Sequence, residues 1–429
     1  MKRRRLVVRI VLLLLLLLAI GLMAASRTPT GAAALNVVEY RVRAWWYSQT
    51  GRPSYDPTRT GSFSGAIRTV EGQPLAGAFA LVASVRGEVY QARSDAAGAY
   101  RVDGVPPGRY VPMSAAWGFV ETNGPALTIS VGQERKGVDF VLPAYQPAPV
   151  APTAWAVGPT YVAASDFPSP LTARRIPFTF TLDSLVIEGG QFYLPDQITQ
   201  TLPTIFIIYP SPAINWSNVS AAMAHEGFAV ITVGPDPDRG LDIEGHVRDF
   251  RAVFQAWQAG RFAEMAPGAA LDANRWLLMS GSFGSLMLFR ALRDLPPAPA
   301  IVSVGGVSDA FLGIQSLYST ELKIPPPYDT YIAALGRPDR NPAFFFGYSP
   351  LFYADHLPPI FIIHSYGDEV IPYNQASVLS AALDARQAPY ETLLYHDTTH
   401  YLDAYNPTES TYLVFRRTMA FARAHIAQR

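Results

Sequence analysis

Residues 276–284 read Trp-Leu-Leu-Met-Ser-Gly-Ser-Phe-Gly, and a helical pattern begins where this stretch ends. An apolar strand that turns sharply into a helix presents the serine in the middle of the turn, here Ser282, at the edge of a sheet. Ser280 and Gly284 lie two residues before and after it, where only small side chains avoid a collision across the turn. Ser282 is therefore the candidate nucleophile, although the usual pattern has glycine in place of Ser280.

A serine hydroxyl is a weak nucleophile at neutral pH and needs a neighbouring base. Two histidines follow the last predicted strand, and we favour His400 over His396 because it lies further into the loop and has the reach to approach Ser282. The acid is expected on an earlier loop. Asp368 follows a buried apolar strand, at the carboxyl end where parallel sheets place catalytic groups. Asp309, at the end of the preceding strand, is the reserve acid.

The transition state of acyl transfer also needs hydrogen-bond donors for its oxyanion. One donor is expected to be the backbone N–H of Phe283, directly after the nucleophile. The second should come from the loop after an earlier buried strand, where two prolines cannot donate. That leaves the N–H of Ser211 or the hydroxyl of Tyr209.

From residue 173 onward, buried apolar strands alternate with helical patterns, which indicates a mainly parallel sheet with helices around it. The first two predicted strands form a hairpin over 176–182 and 185–193, and the sequence Glu-Gly-Gly at 188–190 is expected to break the second of them. Residues 312–350 interrupt the alternation with three consecutive prolines and several aromatic residues. We expect them to form an insertion over the functional edge of the sheet.

The region before this domain has a different composition. Residues 61–144 alternate short strands with Gly- and Pro-containing turns, which predicts a small all-β sandwich. Residues 145–172 are dense in proline and read as a semi-rigid linker. Residues 27–60 are a lead-in segment, either a stalk or a packed element. The predicted division is therefore 1–26, 27–60, 61–144, 145–172 and 173–429.

The N-terminus carries a localisation signal. A cluster of Lys and Arg at residues 2–5 precedes an apolar run that reaches residue 25, interrupted only by Arg9. A positive cluster ahead of an apolar run keeps its start in the cytoplasm and directs the rest of the chain across the membrane. Residues 1–26 are thus a cleaved signal peptide or a retained membrane anchor, and the protein is expected to be exported.

Composition excludes several kinds of function. Among 429 residues, 34 Lys and Arg balance 34 Asp and Glu, so nucleic acid is not an expected partner. The chain has no cysteine, which excludes disulfides, a cysteine nucleophile and thiolate metal sites. The histidines do not show the spacing of a zinc protease, and neither a metal nor an organic cofactor is predicted.

The sandwich region resembles the carboxypeptidase regulatory-like (transthyretin-like) domain family. The matching motifs are Gly-Gln-Pro-Leu-Ala-Gly-Ala at 72–78, Ser-Asp-Ala-Ala-Gly-Ala-Tyr at 94–100 and Gly-Val-Pro-Pro-Gly-Arg-Tyr at 104–110. The resemblance covers about 80 residues. Domains of this family are usually accessories without chemistry of their own, which implies a spacer or docking role here.

From residue 173 to its end, the chain resembles the catalytic domain of the prolyl oligopeptidase family and its dienelactone-hydrolase-like relatives. The matching segments are, in order, 280–284, 305–309, 348–355, 364–372 and 395–400. The resemblance implies an α/β-hydrolase fold and a tyrosine at the position of Tyr209 that supplies an oxyanion donor through its phenol. The chain departs from the family because no propeller-sized domain precedes the hydrolase, and because Pro210 and Ser211 stand where glycines are expected.

The sequence therefore predicts an exported serine hydrolase that cleaves ester or peptide bonds through an acyl-enzyme on Ser282. Its expected partners are small esters, acyl compounds or short peptides, and the membrane if the N-terminal segment is retained. Two alternatives stay open. One is a catalytically degenerate hydrolase fold that only binds, suggested by Ser280 and the altered loop at Pro210. The other is a carbohydrate esterase docked to glycans or a cell wall by residues 61–144.

Overall fold

The computed structural model describes residues 21, 23–52, 54–208, 210–319, 324, 329–396, 400 and 402–427. Within these ranges an N-terminal helix and a small β-sandwich precede a large mixed sheet flanked by helices. No helix in the described ranges is both long and apolar enough to cross a membrane. Most of the predicted apolar segment, residues 1–20 and 22, lies outside them, so the signal or anchor stays a prediction.

The helices are α1 (Pro29–Thr50), α2 (Ser217–His225), α3 (Ile243–Gln258), α4 (Arg261–Met265), α5 (Gly284–Leu292), α6 (Ala310–Tyr318), α7 (Asp329–Ala334), α8 (Pro342–Gly347), α9 (Asn374–Arg386) and α10 (Glu409–Ala422). Short 3₁₀ turns span Ala213–Trp216, Pro237–Arg239 and Pro350–His356, and a π-helical turn, Arg423–Ala427, follows α10. The strands of the sandwich are β1 (Gly61–Thr69), β2 (Phe79–Ala83), β3 (Val89–Arg93), β4 (Ala99–Val105), β5 (Gly108–Tyr110), β6 (Met113–Ala115), β7 (Thr122–Asn123), β8 (Leu127–Ile129), β9 (Glu134–Arg135) and β10 (Phe140–Leu142). The strands of the large sheet are β11 (Ala154–Val157), β12 (Tyr161–Ser165), β13 (Leu171–Leu182), β14 (Leu185–Leu194), β15 (Leu202–Ile208), β16 (Ala229–Val233), β17 (Leu271–Gly281), β18 (Ile301–Val304), β19 (Ile360–Ser365) and β20 (Tyr390–Tyr395).

The sandwich forms two small four-stranded sheets and a two-stranded ribbon of β5 and β8 around its own apolar core. One sheet has the order β10-β1-β4 with β9 beside β1, and the other has the order β3-β2-β6-β7. Residues on the facing sides of β1, β2 and β4, including Phe63, Val82 and Val102, are fully buried between them. Strand β4 alternates buried and exposed positions, as a sheet with one solvated face requires. Strand β2 is buried on both faces, because Leu81 and Ala83 pack against residues of the following domain.

The large sheet has the order β11-β13-β14-β16-β15-β17-β18-β19-β20, with β12 also paired to β13. The strands from β16 to β20 run parallel, and β15, β16 and β19 are buried at every position. Helices α3, α5 and α9 cover one face, while α2 and α10 cover the other. Burial on both faces explains why these strands read as continuous apolar runs in the sequence.

The proline-rich segment is not a linker along its whole length, and the sequence prediction was wrong here. Its residues 154–157 and 161–165 form β11 and β12, which pair antiparallel with β13 at the edge of the sheet. The prolines of the segment lie between and around the two strands, so their missing donors interrupt no ladder. Trp155 stacks on Phe180 of β13 with ring centroids 5.0 Å apart, which anchors the first of these strands.

The predicted break at 188–190 is also wrong, because β14 continues through it with a local irregularity in its pairing to β13. Gly189 takes a positive φ of 81°, which lets the chain bulge without ending the strand. The ring of Phe178 lies across Gly190, where a Cβ would come within 2.4 Å of it. The two glycines therefore shape the hairpin rather than terminate it.

The lead-in segment is a packed helix. The Thr28 hydroxyl accepts a hydrogen bond from the N–H of Gly31, and proline occupies the first position of α1. Arg41 of α1 binds the carboxylate of Asp329 at the start of α7 with N–O distances of 2.7 and 2.8 Å. Asn36 donates to the carbonyl of Ala334 at the other end of the same helix. Helix α1 thus holds both ends of α7, within the insertion predicted over 312–350.

We expect Arg41→Ala to lower the free energy of unfolding by about 1–3 kcal/mol, because the carboxylate of Asp329 would stay buried without its charged partner. The Asp329 side chain is only 2% exposed. Urea unfolding followed by tryptophan fluorescence measures the change. Arg59→Ala, an exposed arginine between α1 and β1, is the matched control and should behave like the parent. Equal stability of both variants would contradict the expected role of the ion pair.

Candidate active site

The strand–turn–helix around Ser282 has the strained geometry that its sequence predicts. Ser282 adopts a φ of 53°, in the left-handed region that non-glycine residues avoid. Its N–H donates to the carbonyl of Val304 on the neighbouring strand at 2.9 Å, which holds the turn against the sheet. Strain of this kind persists only where the surroundings hold the conformation in place, and it concentrates at functional sites.

The serine at position 280 is accommodated by hydrogen bonding. Ser280 is fully buried, and its hydroxyl lies 3.1 Å from that of Ser285 on α5. The Ser285 hydroxyl in turn lies 3.3 Å from that of Ser303 on β18. A buried hydroxyl costs free energy only when it has no partner, so this chain of three hydroxyls explains why glycine is not needed here.

The structure brings together the three side chains that the sequence singles out. The Nε2 atom of His400 lies 2.7 Å from the hydroxyl oxygen of Ser282. Its Nδ1 atom lies 2.7 Å from Oδ2 of Asp368. The side chains of His400 and Asp368 are almost fully buried, so little water competes for these contacts. One continuous hydrogen-bonded path therefore connects carboxylate, imidazole and hydroxyl.

The carboxylate of Asp368 is held by its own loop. Its Oδ1 accepts hydrogen bonds from the N–H groups of Val370 and Ile371, at 2.9 and 2.7 Å. Its Oδ2 is left to face His400 and, at 3.5 Å, Nε2 of His364. The loop thus fixes the orientation of the carboxylate and directs one oxygen toward the imidazole.

His364, the fifth residue of β19, supports this loop. Its Nε2 lies 2.8 Å from the carbonyl of Ile371, which can only accept, so Nε2 carries the proton. Burial lowers the pKa of His364 below its usual value, which favours the neutral ring. A neutral histidine can bridge the loop without placing a second positive charge beside His400.

The other two candidates from the sequence lie elsewhere. Asp309, the reserve acid, caps α6 by accepting from the N–H of Phe311 at 2.8 Å, and Ser349 lies 3.4 Å from the same oxygen. His396 is exposed and stacks on the ring of Tyr366 with centroids 4.8 Å apart. Neither residue takes part in the path between Asp368 and Ser282.

The structure describes two of the three predicted oxyanion donors, Phe283 and Ser211. Phe283 directly precedes α5, and the first N–H groups of a helix have no acceptor within it, so they point outward as donors. Ser211 faces the same cavity as Ser282, and its hydroxyl accepts from the indole N–H of Trp216 at 2.8 Å. Tyr209 lies outside the described residues. The choice between Ser211 and Tyr209 therefore stays open.

A cavity of about 630 Å³ opens beside Ser282. This volume is in the range of small-molecule sites. Most of its lining is apolar, from Phe167, Pro210, Trp216, Val219, Met223, Met279, Phe283, Val304, Leu402, Val414 and Phe415. The sequence analysis missed this cavity, because its walls come from segments that are distant in the chain and carry no motif. Among the described residues no group of three His, Asp or Glu side chains is arranged to hold a metal ion.

Two regions of the chain match models of known protein families. Residues 247–429 match the model of the prolyl oligopeptidase family, and residues 62–143 match the carboxypeptidase regulatory-like domain. The C-terminal part of the chain is thus similar to the prolyl oligopeptidase family over residues 247–429. The β-sandwich is similar to the carboxypeptidase regulatory-like domain over residues 62–143, and both resemblances drawn from the sequence are confirmed. No curated protein matches the chain.

Solved structures similar to this chain include acylaminoacyl peptidase from Pyrococcus horikoshii, 15% identical, with the match covering 75% of this chain and 55% of that one at a TM-score of 0.49. Esterase B from Lactobacillus rhamnosis is 17% identical, with 64% and 88% covered and a TM-score of 0.43. A sugar hydrolase from Lactococcus lactis is 14% identical, with 58% and 98% covered and a TM-score of 0.43. The chain spans little more than half the length of the peptidase.

The position of Asp309 predicts a pH dependence of stability. Burial raises the pKa of this carboxyl from 3.8 to about 6. Between these values the folded state binds a proton that the unfolded state has lost, so stability falls as pH rises through this window. Asp309→Asn keeps an oxygen to cap α6 but cannot ionise. Its free energy of unfolding should therefore fall by about 1–3 kcal/mol less than that of the parent as the pH rises through this window.

Urea unfolding at pH 4 and pH 7 measures the difference for the parent and for Asp309→Asn. Asp166→Asn, on an exposed turn, is the control and should keep the parent profile. If Asp309→Asn loses as much stability between the two pH values as the parent does, the carboxyl does not titrate in this window.

Proposed function

We propose that the protein is an exported hydrolase that cleaves ester or amide bonds through Ser282, His400 and Asp368. The observation that supports this most directly is the path of two 2.7 Å hydrogen bonds from carboxylate to imidazole to hydroxyl. The strained turn at Ser282 supports it too, because a non-glycine residue is held there with a positive φ, and strain of this kind concentrates at functional sites.

The protonation states follow from the contacts. Nδ1 of His400 faces a carboxylate oxygen, which can only accept, so Nδ1 carries the proton of the neutral ring. Nε2 is then the basic nitrogen, and it faces the hydroxyl of Ser282. Asp368 holds this tautomer and stabilises the imidazolium that forms when the ring takes the serine proton.

Catalysis then proceeds in two halves. His400 takes the proton of Ser282 as its oxygen attacks the substrate carbonyl, and the oxyanion is held by the N–H of Phe283 and a donor from Ser211 or Tyr209. His400 next gives the proton to the leaving alcohol or amine, and the acyl group stays on Ser282. Water attacks the acyl-enzyme with His400 again as base, which releases the acid and restores the serine. The scheme requires no cofactor.

Export is proposed on the sequence alone. The basic residues at 2–5 and the apolar run after them are typical of a segment that directs a chain across a membrane. The absence of cysteine means that folding outside the cytoplasm depends on no disulfide.

Ser282→Ala should lower kcat for p-nitrophenyl butyrate by a factor of about 10³ or more, because the nucleophile is gone while the oxyanion donors stay. A fluorophosphonate probe should label the parent protein and not this variant. Ser377→Ala on α9 is the matched control and should keep both activity and labelling. A parent protein that is folded but inert to the probe would instead support the degenerate, binding-only alternative.

The two histidines of one loop allow a second test. His400→Ala should lower kcat about as far as Ser282→Ala does. In a catalytic unit, the loss of one member removes most of what the whole unit contributes. His396→Ala should stay within about threefold of the parent, because this exposed ring contacts Tyr366 and not Ser282. Steady-state kinetics on the same ester compares them. A large loss for His396→Ala with activity retained in His400→Ala would reverse the assignment.

A further inference from the structure

The cavity beside Ser282 lies between helices α2 and α10. It extends from the carboxyl edge of the sheet toward the opposite edge. Helix α2 follows β15 and leads into β16, so it runs from the carboxyl edge of the sheet back to the opposite edge. Helix α10 runs the same way, because Phe421 near its end packs against Phe361 near the start of β19, with ring centroids 5.4 Å apart. Residues at successive turns of both helices therefore lie at increasing depth below the nucleophile.

The depth of the cavity can be read from these helices. Val219 and then Met223 line it on α2, while Thr411, Val414 and Thr418 line it on α10. Thr411 and Thr418 are seven positions apart on α10, which is about 10 Å along the helix at 1.5 Å per residue. Met223 and Thr418 are each only 1% exposed, so we take these two side chains as the buried inner end of the cavity.

The walls carry little charge. No Lys, Arg or Glu is among the described residues that line the cavity. Its single aspartate, Asp403, lies exposed on the loop after His400, and the N–H of Tyr405 and the side-chain amide of Asn406 occupy its carboxylate at 2.7 and 3.0 Å. An ionised group placed in this cavity would lose its hydration without gaining a partner of opposite charge. The cavity therefore suits an uncharged, apolar group.

We propose that this cavity binds the acyl chain of the substrate, and that the preferred substrates are esters of medium-length fatty acids, on the order of eight carbon atoms long by the 10 Å depth. The inference rests on the proposed function, since it requires an acyl group on Ser282. It makes Val219, Met223, Val414 and Thr418 determinants of chain length.

The acyl side of the substrate fits the closed cavity better than the leaving group does. An acyl chain stays bonded to Ser282 until water has attacked, and a dead-end cavity can hold it throughout. The leaving alcohol must depart in the middle of the cycle, and the closed inner end offers it no exit. A peptide chain fits less well too, because the apolar walls offer few partners for its backbone amides.

The first measurement is kcat/KM for p-nitrophenyl esters from acetate to palmitate, with the leaving group held constant. Each buried methylene should raise kcat/KM by up to about fourfold until the cavity is full. We expect a maximum near octanoate and a fall toward palmitate. A matched series of acetate esters with increasing alcohol length should show no such maximum.

Filling the cavity should move this maximum. Val414→Phe and Val219→Phe add a ring from opposite walls, and each should lower the ratio of octanoate to acetate kcat/KM by about tenfold or more. Two variants are used because either could disturb folding, which circular dichroism reports. Ala420→Phe is the matched control, since it adds the same ring to an exposed position of α10, and it should keep the parent ratio.

The outcomes separate the inference from the function on which it rests. If the fluorophosphonate labels Ser282 but the acyl series has no maximum, or both folded cavity variants keep the parent ratio, the acyl-chain assignment is wrong and the hydrolase assignment stands. A maximum in the alcohol series instead would assign the cavity to the leaving group. Faster hydrolysis of aminoacyl p-nitroanilides than of any ester would assign it to peptides. If Ser282 is neither labelled nor needed for turnover, the proposed function itself fails.

Discussion

The edge of the sheet that carries Ser282, Asp368 and His400 depends on a hydrogen-bonded ladder that continues past the ends of the parallel strands. The N–H of Ser282 donates to Val304, that of Gly305 to Ile363, and that of Tyr366 to Tyr395, all at 2.8–2.9 Å. These bonds link the nucleophile turn, the next strand end, the acid loop and the strand before His400 into one rigid rim. Because each bond fixes one loop against its neighbour, residues 118 positions apart meet without a large enclosing framework.

The same rim leaves little room for a side chain beside the contact between Asp368 and His400. Gly305 has a φ of 54°, and a Cβ there would come within 3.3 Å of Oδ2 of Asp368 and 3.4 Å of the ring of His400. A side chain at this position would press on the contact that orients the imidazole. The sequence analysis noted the glycine pair at 305–306 only as part of a family resemblance. The structure gives a steric reason for glycine at position 305. The strained turn at Ser282 and the missing side chain at Gly305 both allow Ser282, His400 and Asp368 to lie in contact.

The sequence predicts the parts of the site that depend on local rules. A turn that must be small on both sides of Ser282, an acid after a buried strand and a histidine in a long loop each have a local signature. The edge strands β11 and β12 have none, because short segments between prolines become strands only where an unpaired edge accepts them. The packing of α1 was equally unreadable, since neither Asn36 nor Arg41 indicates its partner. The cavity could not be predicted at all, as its walls come from segments that only the fold brings together.

The insertion and the N-terminal helix connect to this site through two aromatic rings. The ring of Phe283, the residue after the nucleophile, stacks on Tyr331 of α7 with centroids 5.0 Å apart. Helix α7 has only six residues, too few to be stable alone. Its ends are tied to α1 through Asp329 and Ala334. The outer wall of the pocket is therefore positioned by a helix almost 300 residues earlier in the chain, which explains why the lead-in segment is folded onto the hydrolase instead of serving as a stalk.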